Sequence, residues 1–169
     1  MNWYVLLVGV VALERVAELV VSRRNLAWSR ARGGVEFGAR HYPAMVALHT
    51  GLLVGCVLEV LLLHRPFVPA LGATMFALVL ASQALRWWCI ATLGRQWNTR
   101  VVVVPDAPRV TAGPYRYFPH PNYVAVVVEG FALPLVHTAW ITAVAFSVLN
   151  AALLRVRLVV ENDALARLR

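Results

Sequence analysis

The chain has 169 residues, 60% of them hydrophobic and 14% charged, with a mean hydropathy of +0.68. A soluble domain covers its core with charge, usually about 25% of residues, and this chain has too little polar surface for that. The net charge of +8 does not mark a nucleic-acid groove, because all 16 cationic residues are arginine and most cluster between apolar runs, as in a protein oriented in a bilayer.

Five apolar segments are predicted as spanning helices, at 2–21, 42–63, 67–91, 122–135 and 139–154. The first carries Glu14, Arg15 and Glu18, starts without a basic stretch and lacks a small-x-small cleavage site. It reads as a retained helix rather than a signal peptide. The second contains Gly51-Leu-Leu-Val-Gly55, a small-xxx-small pair that admits a closely packed helix from this chain or from a second copy in a homodimer. It also holds His49 and Glu59, which stand about 15 Å apart along a helix and do not reach one reacting atom together. Cys56 and Cys89 fall inside apolar runs and read as small buried hydrophobes, with no disulfide or metal framework. The last two segments are short, and Pro134-Leu-Val-His-Thr138 joins them into a tight antiparallel hairpin.

This is an all-α integral membrane protein of about five spans, a single domain at 1–169, with N-terminal spans in 1–92 and a C-terminal half at 93–169. Its arginines fall in 22–41, in 93–120 and in the tail at Arg155, Arg157, Arg167 and Arg169, against Arg65 alone on the other side. Positive charge stays on the cytosolic side, so the N-terminus is expected outside and both long loops and the C-terminus in the cytosol of a multi-pass cell-membrane protein.

Chemistry-bearing residues gather between Leu93 and Tyr123 and again at Arg157–Glu161. The run Gly113-Pro-Tyr-Arg-Tyr-Phe-Pro-His-Pro-Asn-Tyr123 is a rigid, non-helical entry to the fourth span. Asn122 is expected to cap that span, with His120 just before it, and Glu129 follows almost two turns inside. Pairing with an arginine would satisfy Glu129 as well as a catalytic role would. A hairpin brings its open ends together, which puts His120, Asn122, Tyr123, Arg157 and Glu161 around one cytosolic pocket. Such a pocket suits S-adenosylmethionine: carboxylates for its ribose or amine, an Arg or helix N-terminus for its carboxylate, and aromatic rings for its adenine or sulfonium.

At Gly113-Pro-Tyr-Arg116, His120-Pro-Asn-Tyr123, Glu129 and Arg157…Glu161 the chain resembles the isoprenylcysteine carboxyl methyltransferase family of membrane enzymes. The resemblance implies a helical membrane fold that binds S-adenosylmethionine from the cytosol through Arg116, His120, Pro121, Asn122, Tyr123, Arg157 and Glu161. It also implies a lipid-like acceptor that enters sideways from the bilayer. Gly33-Gly-Val-Glu36, His41-Tyr-Pro43, His49, Glu59, Arg86-Trp-Trp88 and Leu93-Gly-Arg-Gln-Trp-Asn-Thr99 are similar to a bacterial branch that methylates phenolic lipids, alkylresorcinols and alkylpyrones. Two positions depart from the family pattern: Pro119 stands where an Arg usually precedes the motif His, with Arg116 expected to supply that charge, and Asn162 where a second Glu often follows Glu161.

Methyl transfer to an ionised carboxylate needs positioning alone, whereas a phenol or enol benefits from a base. Candidates for that base are Glu129, Glu59 and His120. Two other readings stay open: an isoprenylcysteine carboxyl O-methyltransferase, and a non-enzymatic membrane transporter or assembly protein.

Overall fold

The computed structural model describes residues 2–105 and 107–166, so Arg167 and Arg169 of the arginine-rich tail lie outside the described residues. Five helices carry the fold: α1 (Asn2–Arg30), α2 (Tyr42–Leu62), α3 (Pro69–Leu93), α4 (Pro121–Leu135) and α5 (Trp140–Ala166). The protein is helical and membrane-like, with apolar side chains such as Leu6, Leu13, Leu62, Val148 and Val159 turned outward where lipid takes the place of water. Three helical stretches, Ala39–Leu62, Pro69–Gln96 and Trp140–Ala166, are long and apolar enough to cross a bilayer. The expected count of five goes beyond these three: α4 has 15 residues, and α1 carries its charges inside its apolar run.

Several boundaries differ from the sequence reading. α1 does not stop at residue 21 but continues to Arg30. Glu18, Ser22, Asn25 and Ser29 recur at helical spacing and are all buried, so the extension docks through a polar stripe rather than an apolar one. Asn25 Nδ2 donates to the carbonyls of Trp97 at 2.7 Å and Gly94 at 3.1 Å, and Ser22 Oγ lies 2.8 Å from both Asn98 Oδ1 and Thr99 Oγ1. The two expected loops are further clamped by a short antiparallel sheet, β1 (Val35–Phe37) against β2 (Val101–Val103), with Glu36 opposite Val102. Arg100 locks the clamp, donating to Glu36 Oε1 at 2.6 Å while its guanidinium lies 4.0 Å over the Tyr42 ring.

α4 and α5 form the expected hairpin, but α5 has 27 residues and runs well past residue 154. Arg157 and Glu161 therefore sit on the hairpin's own second helix. The core is built where α1, α2, α4 and α5 meet, from Tyr4, Val11, Cys56, Val60, Leu133 and Phe146. Tyr4 satisfies its hydroxyl by donating to the Leu133 carbonyl at 3.0 Å. α3 packs along α4, and α4 along α5.

The glycine pair of α2 is divided between two surroundings. A side chain at Gly55 would meet Thr142 of α5 within this chain, whereas one at Gly51 would meet nothing within 4 Å. Gly55 thus packs against α5 of this chain, whereas Gly51 faces open space.

The tightest glycine contact is at Gly130 on α4, where an added methyl would collide with the buried Phe146 ring of α5. Gly130→Ala should cost about 1–3 kcal/mol through overpacking, read as a lowered unfolding temperature in detergent. Gly51→Ala should leave that temperature unchanged or slightly higher, since alanine favours a helix by about 0.5–1 kcal/mol. Equal effects of the two substitutions would contradict this packing.

Candidate functional site

Three cavities open where α4 begins and α5 ends. The first, of about 120 Å³, is lined by His120, Asn122, Tyr123, Arg157 and Glu161 together with Asn98, Tyr115 and the apolar Leu93, Val103 and Leu165. The hairpin thus brings together all five residues that the sequence places around one pocket. The second, of about 150 Å³, lies deeper among the helices and is mainly apolar, with Val46, Leu53, Val126 and Leu153 in its walls. The third, of about 520 Å³, lies under the strap 103–111 and shares Leu93, Gln96, Tyr115 and Glu161 with the first. First and second chambers share Trp97, Asn98, Asn122, Tyr123 and Arg157, which form a partition between them.

That partition is held by one hydrogen-bonded relay. Tyr123 donates its hydroxyl to Glu161 Oε2, and Arg157 Nε lies 3.4 Å from the same hydroxyl. Arg157 Nη2 donates to the Thr99 carbonyl at 3.0 Å, and Nη1 touches the Met45 sulfur. One arginine therefore ties α5 to α4, to α2 and to the segment after α3. His120 stacks on Tyr123 with ring centres 5.5 Å apart, its Nδ1 3.4 Å from Glu161 Oε1 and its Nε2 3.3 Å from Asn162 Oδ1. Asn162 thus supplies a neutral acceptor at the position where the family pattern expects a second carboxylate.

Asn122 does not cap α4. His120 occupies the cap position without a side-chain bond, Pro121 fills the first helical position, and Asn122 comes second. Freed from capping, Asn122 points into the site, and its buried Oδ1 has no partner among the described residues. Pro121 is buried beneath the loop and supports it rather than lining a cavity. Arg116 sits exposed in a 3-10 turn and lines none of the three cavities. The cation that borders the third chamber is Arg109 instead.

Neither expected catalytic carboxylate lines any of these three cavities. Glu59 sits about 15 Å further along α2 than His49, at the opposite end of the bundle. It accepts from the backbone N–H groups of Ile141 at 3.1 Å and Thr142 at 2.7 Å, from the Thr142 hydroxyl at 2.8 Å, and from Arg65. It caps α5, whose first turn has unpaired N–H groups and no acidic residue of its own. Glu129 is buried against Arg86, with Arg15 at 3.6 Å. It is the arginine pairing, the structural alternative already visible in the sequence, that the structure provides. Arg15 and Arg86 also reach Glu18 at 3.0 and 3.6 Å, closing a four-charge network across α1, α3 and α4.

Sequence reading missed Tyr115, Asn98 and Arg109 as site residues. Asn98 and Tyr115 were visible only inside longer motifs, and nothing local signals that the chain folds them onto α4 and α5. Burial pushes the Tyr115 phenol above its ordinary range, so it remains a neutral hydrogen-bond partner at the junction of two chambers.

Residues 74–167 match the isoprenylcysteine carboxyl methyltransferase family, and the chain belongs to that family of membrane methyltransferases. Over 161 residues, 95% of each chain, it is 38% identical to the uncharacterized protein YpbQ of Bacillus subtilis (strain 168).

The hydrogen bond and charge of Glu161 hold the His120 imidazole above its ordinary value of about 6.5. A histidine raised in this way is charged and paired at low pH, and the pairing is lost as pH rises through the raised value. Glu161→Gln should therefore lower the His120 pKa toward about 6.5, as followed by histidine proton resonances during a pH titration. An unchanged titration would place the two groups apart.

Proposed function

We infer that this protein is an S-adenosylmethionine-dependent O-methyltransferase of the cell membrane, acting on a phenolic or pyrone lipid. The observation that carries the reading is the pair of unlike chambers meeting at Asn122, Tyr123 and Arg157. One chamber has polar and apolar walls in about equal measure and opens to the strap, and the other is mainly apolar and lies among the helices. A transfer between a polar donor and a lipid acceptor needs that juxtaposition.

The residues present suit the cofactor. The orphaned Asn122 Oδ1 and the Glu161 carboxylate accept hydrogen bonds from its ammonium or ribose hydroxyls. Arg157 and the uncapped start of α4 favour its carboxylate, and Leu93, Val103 and Leu165 offer an apolar bed for a flat ring. When bound, S-adenosylmethionine supplies a methyl group activated by an adjacent sulfonium. The protein's own part is to fix both ends, to exclude water from the partition and to keep the acceptor oxygen in line.

A phenol or enol acceptor needs no counter-charge in the apolar chamber, where Arg15 and Arg86 are paired with Glu18 and Glu129 and Arg157 is held by Tyr123 and the Thr99 carbonyl. Its alkyl tail contributes about 0.8 kcal/mol per buried methylene. The arginine distribution supports an external N-terminus, with the chambers opening to the cytosol and α1 and α4 completing a five-pass arrangement.

Purified protein should transfer labelled methyl from S-adenosylmethionine to an alkylresorcinol or an alkylpyrone, giving an O-methyl product. Transfer to a farnesylcysteine analogue alone would replace this reading with a carboxyl methyltransferase. Transfer to none of the three would remove the acceptor assignment.

A further inference from the structure

Resting on that reading, we propose that His49 and Asn150 form the recognition site for a dihydroxylated acceptor headgroup, with His49 Nε2 taking the proton of the hydroxyl that is methylated. Both residues line the apolar chamber, one from α2 and one from α5. His49 Nδ1 lies 2.9 Å from the Met45 carbonyl oxygen. A carbonyl can only accept, so Nδ1 carries the hydrogen, and in the neutral ring Nε2 is left as a lone-pair acceptor. Among the described residues Nε2 has no partner, and packing does not seal it off. The ring is held edge-on against Phe146, with centroids 5.4 Å apart, so its direction is set before any ligand arrives.

Asn150 makes the second observation independently. It lies one turn beyond Phe146 on the same helix and is 2% exposed, yet its Oδ1 is buried without a partner. Leaving a buried polar group unpaired costs about 1–3 kcal/mol, and no described residue donates to this one. His49 Nε2 and Asn150 Oδ1, two acceptors beyond the Asn122 Oδ1 at the partition, match a ligand that brings two donors. A ring with two hydroxyl groups does this.

The position suits the chemistry. His49 stands one turn, about 6 Å, along α2 from Met45, whose sulfur touches Arg157 at the partition. Transfer moves the hydroxyl proton to Nε2 while the acceptor oxygen gains the methyl carbon. The electron pair of the broken C–S bond stays on sulfur, and the imidazolium then returns its proton to solvent.

The test uses full-length protein with ¹⁵N-labelled histidine in detergent, saturated with S-adenosylhomocysteine and titrated with an alkylresorcinol. The His49 Nε2 resonance should begin as an unprotonated ring nitrogen and shift on titration, and a farnesylcysteine analogue should leave it in place. Asn150→Leu should weaken alkylresorcinol binding at least tenfold, and His49→Gln should slow methyl transfer at least tenfold. Both variants should keep S-adenosylhomocysteine affinity within twofold, which also reports that they fold. An alkylresorcinol that binds without shifting His49, or variants that bind and react within twofold of the parent, would overturn the proposal. A His49 shift without methyl transfer by the parent would support the headgroup site and overturn the transferase reading instead.

Discussion

Charge placed among the helices of the bundle dictates much of this structure. Arg15 and Glu18 of α1, Arg86 of α3 and Glu129 of α4 sit where neither water nor lipid can solvate them, so each must find its opposite within the bundle. Removing one partner of such a pair costs about 3–5 kcal/mol, because the remaining charge stays buried. That requirement sets how α1, α3 and α4 are rotated about their axes. Once Glu129 faces Arg86, Tyr123, almost two turns earlier on α4, faces α5 and the chamber beside it. The network joins the apolar chamber to the rest of the fold, with Arg15, Glu18 and Arg86 in that chamber's wall and Glu129 behind it.

A second constraint acts at the other end of α4. Arg157 contacts α2, α4 and the segment following α3, and Tyr123 relays it to Glu161. These contacts separate a polar chamber from an apolar one by the width of a few side chains. The β1–β2 clamp and the Ser22–Asn25 dock hold residues 94–103 against that partition, so the segments between the helices are walls rather than slack connections. Glu59 serves the same end from a distance: capping α5 fixes the start of the helix that carries Asn150, Arg157 and Glu161.

How much of this was legible in the sequence depended on the range over which each signal acts. The apolar runs and the proline-rich entry to α4 are local, and a short hairpin must bring its open ends together, so the grouping of His120, Asn122, Tyr123, Arg157 and Glu161 followed from chain order. The continuation of α1 to Arg30 was missed because Ser22, Asn25 and Ser29 look like loop residues until their partners at 94–99 are known. Glu59 was misassigned because an acid in an apolar run reads alike whether it caps a helix or activates a substrate. Arg116 was chosen for its charge, but the 3-10 turn at 113–116 points it outward. Asn150 carried no signal, since a lone amide in a helix declares itself only when its missing partner can be seen.

The central claim is that the polar chamber beside Glu161 holds the methyl donor, and calorimetry of S-adenosylhomocysteine with detergent-purified protein tests it most directly. A hydrogen bond to a charged group contributes about 1.5–3 kcal/mol, so Glu161→Gln should weaken binding about tenfold or more. Glu59→Gln, far along the bundle, should leave affinity within twofold of the parent. Absence of binding to the parent protein, or equal affinity of the parent and Glu161→Gln, would contradict the account.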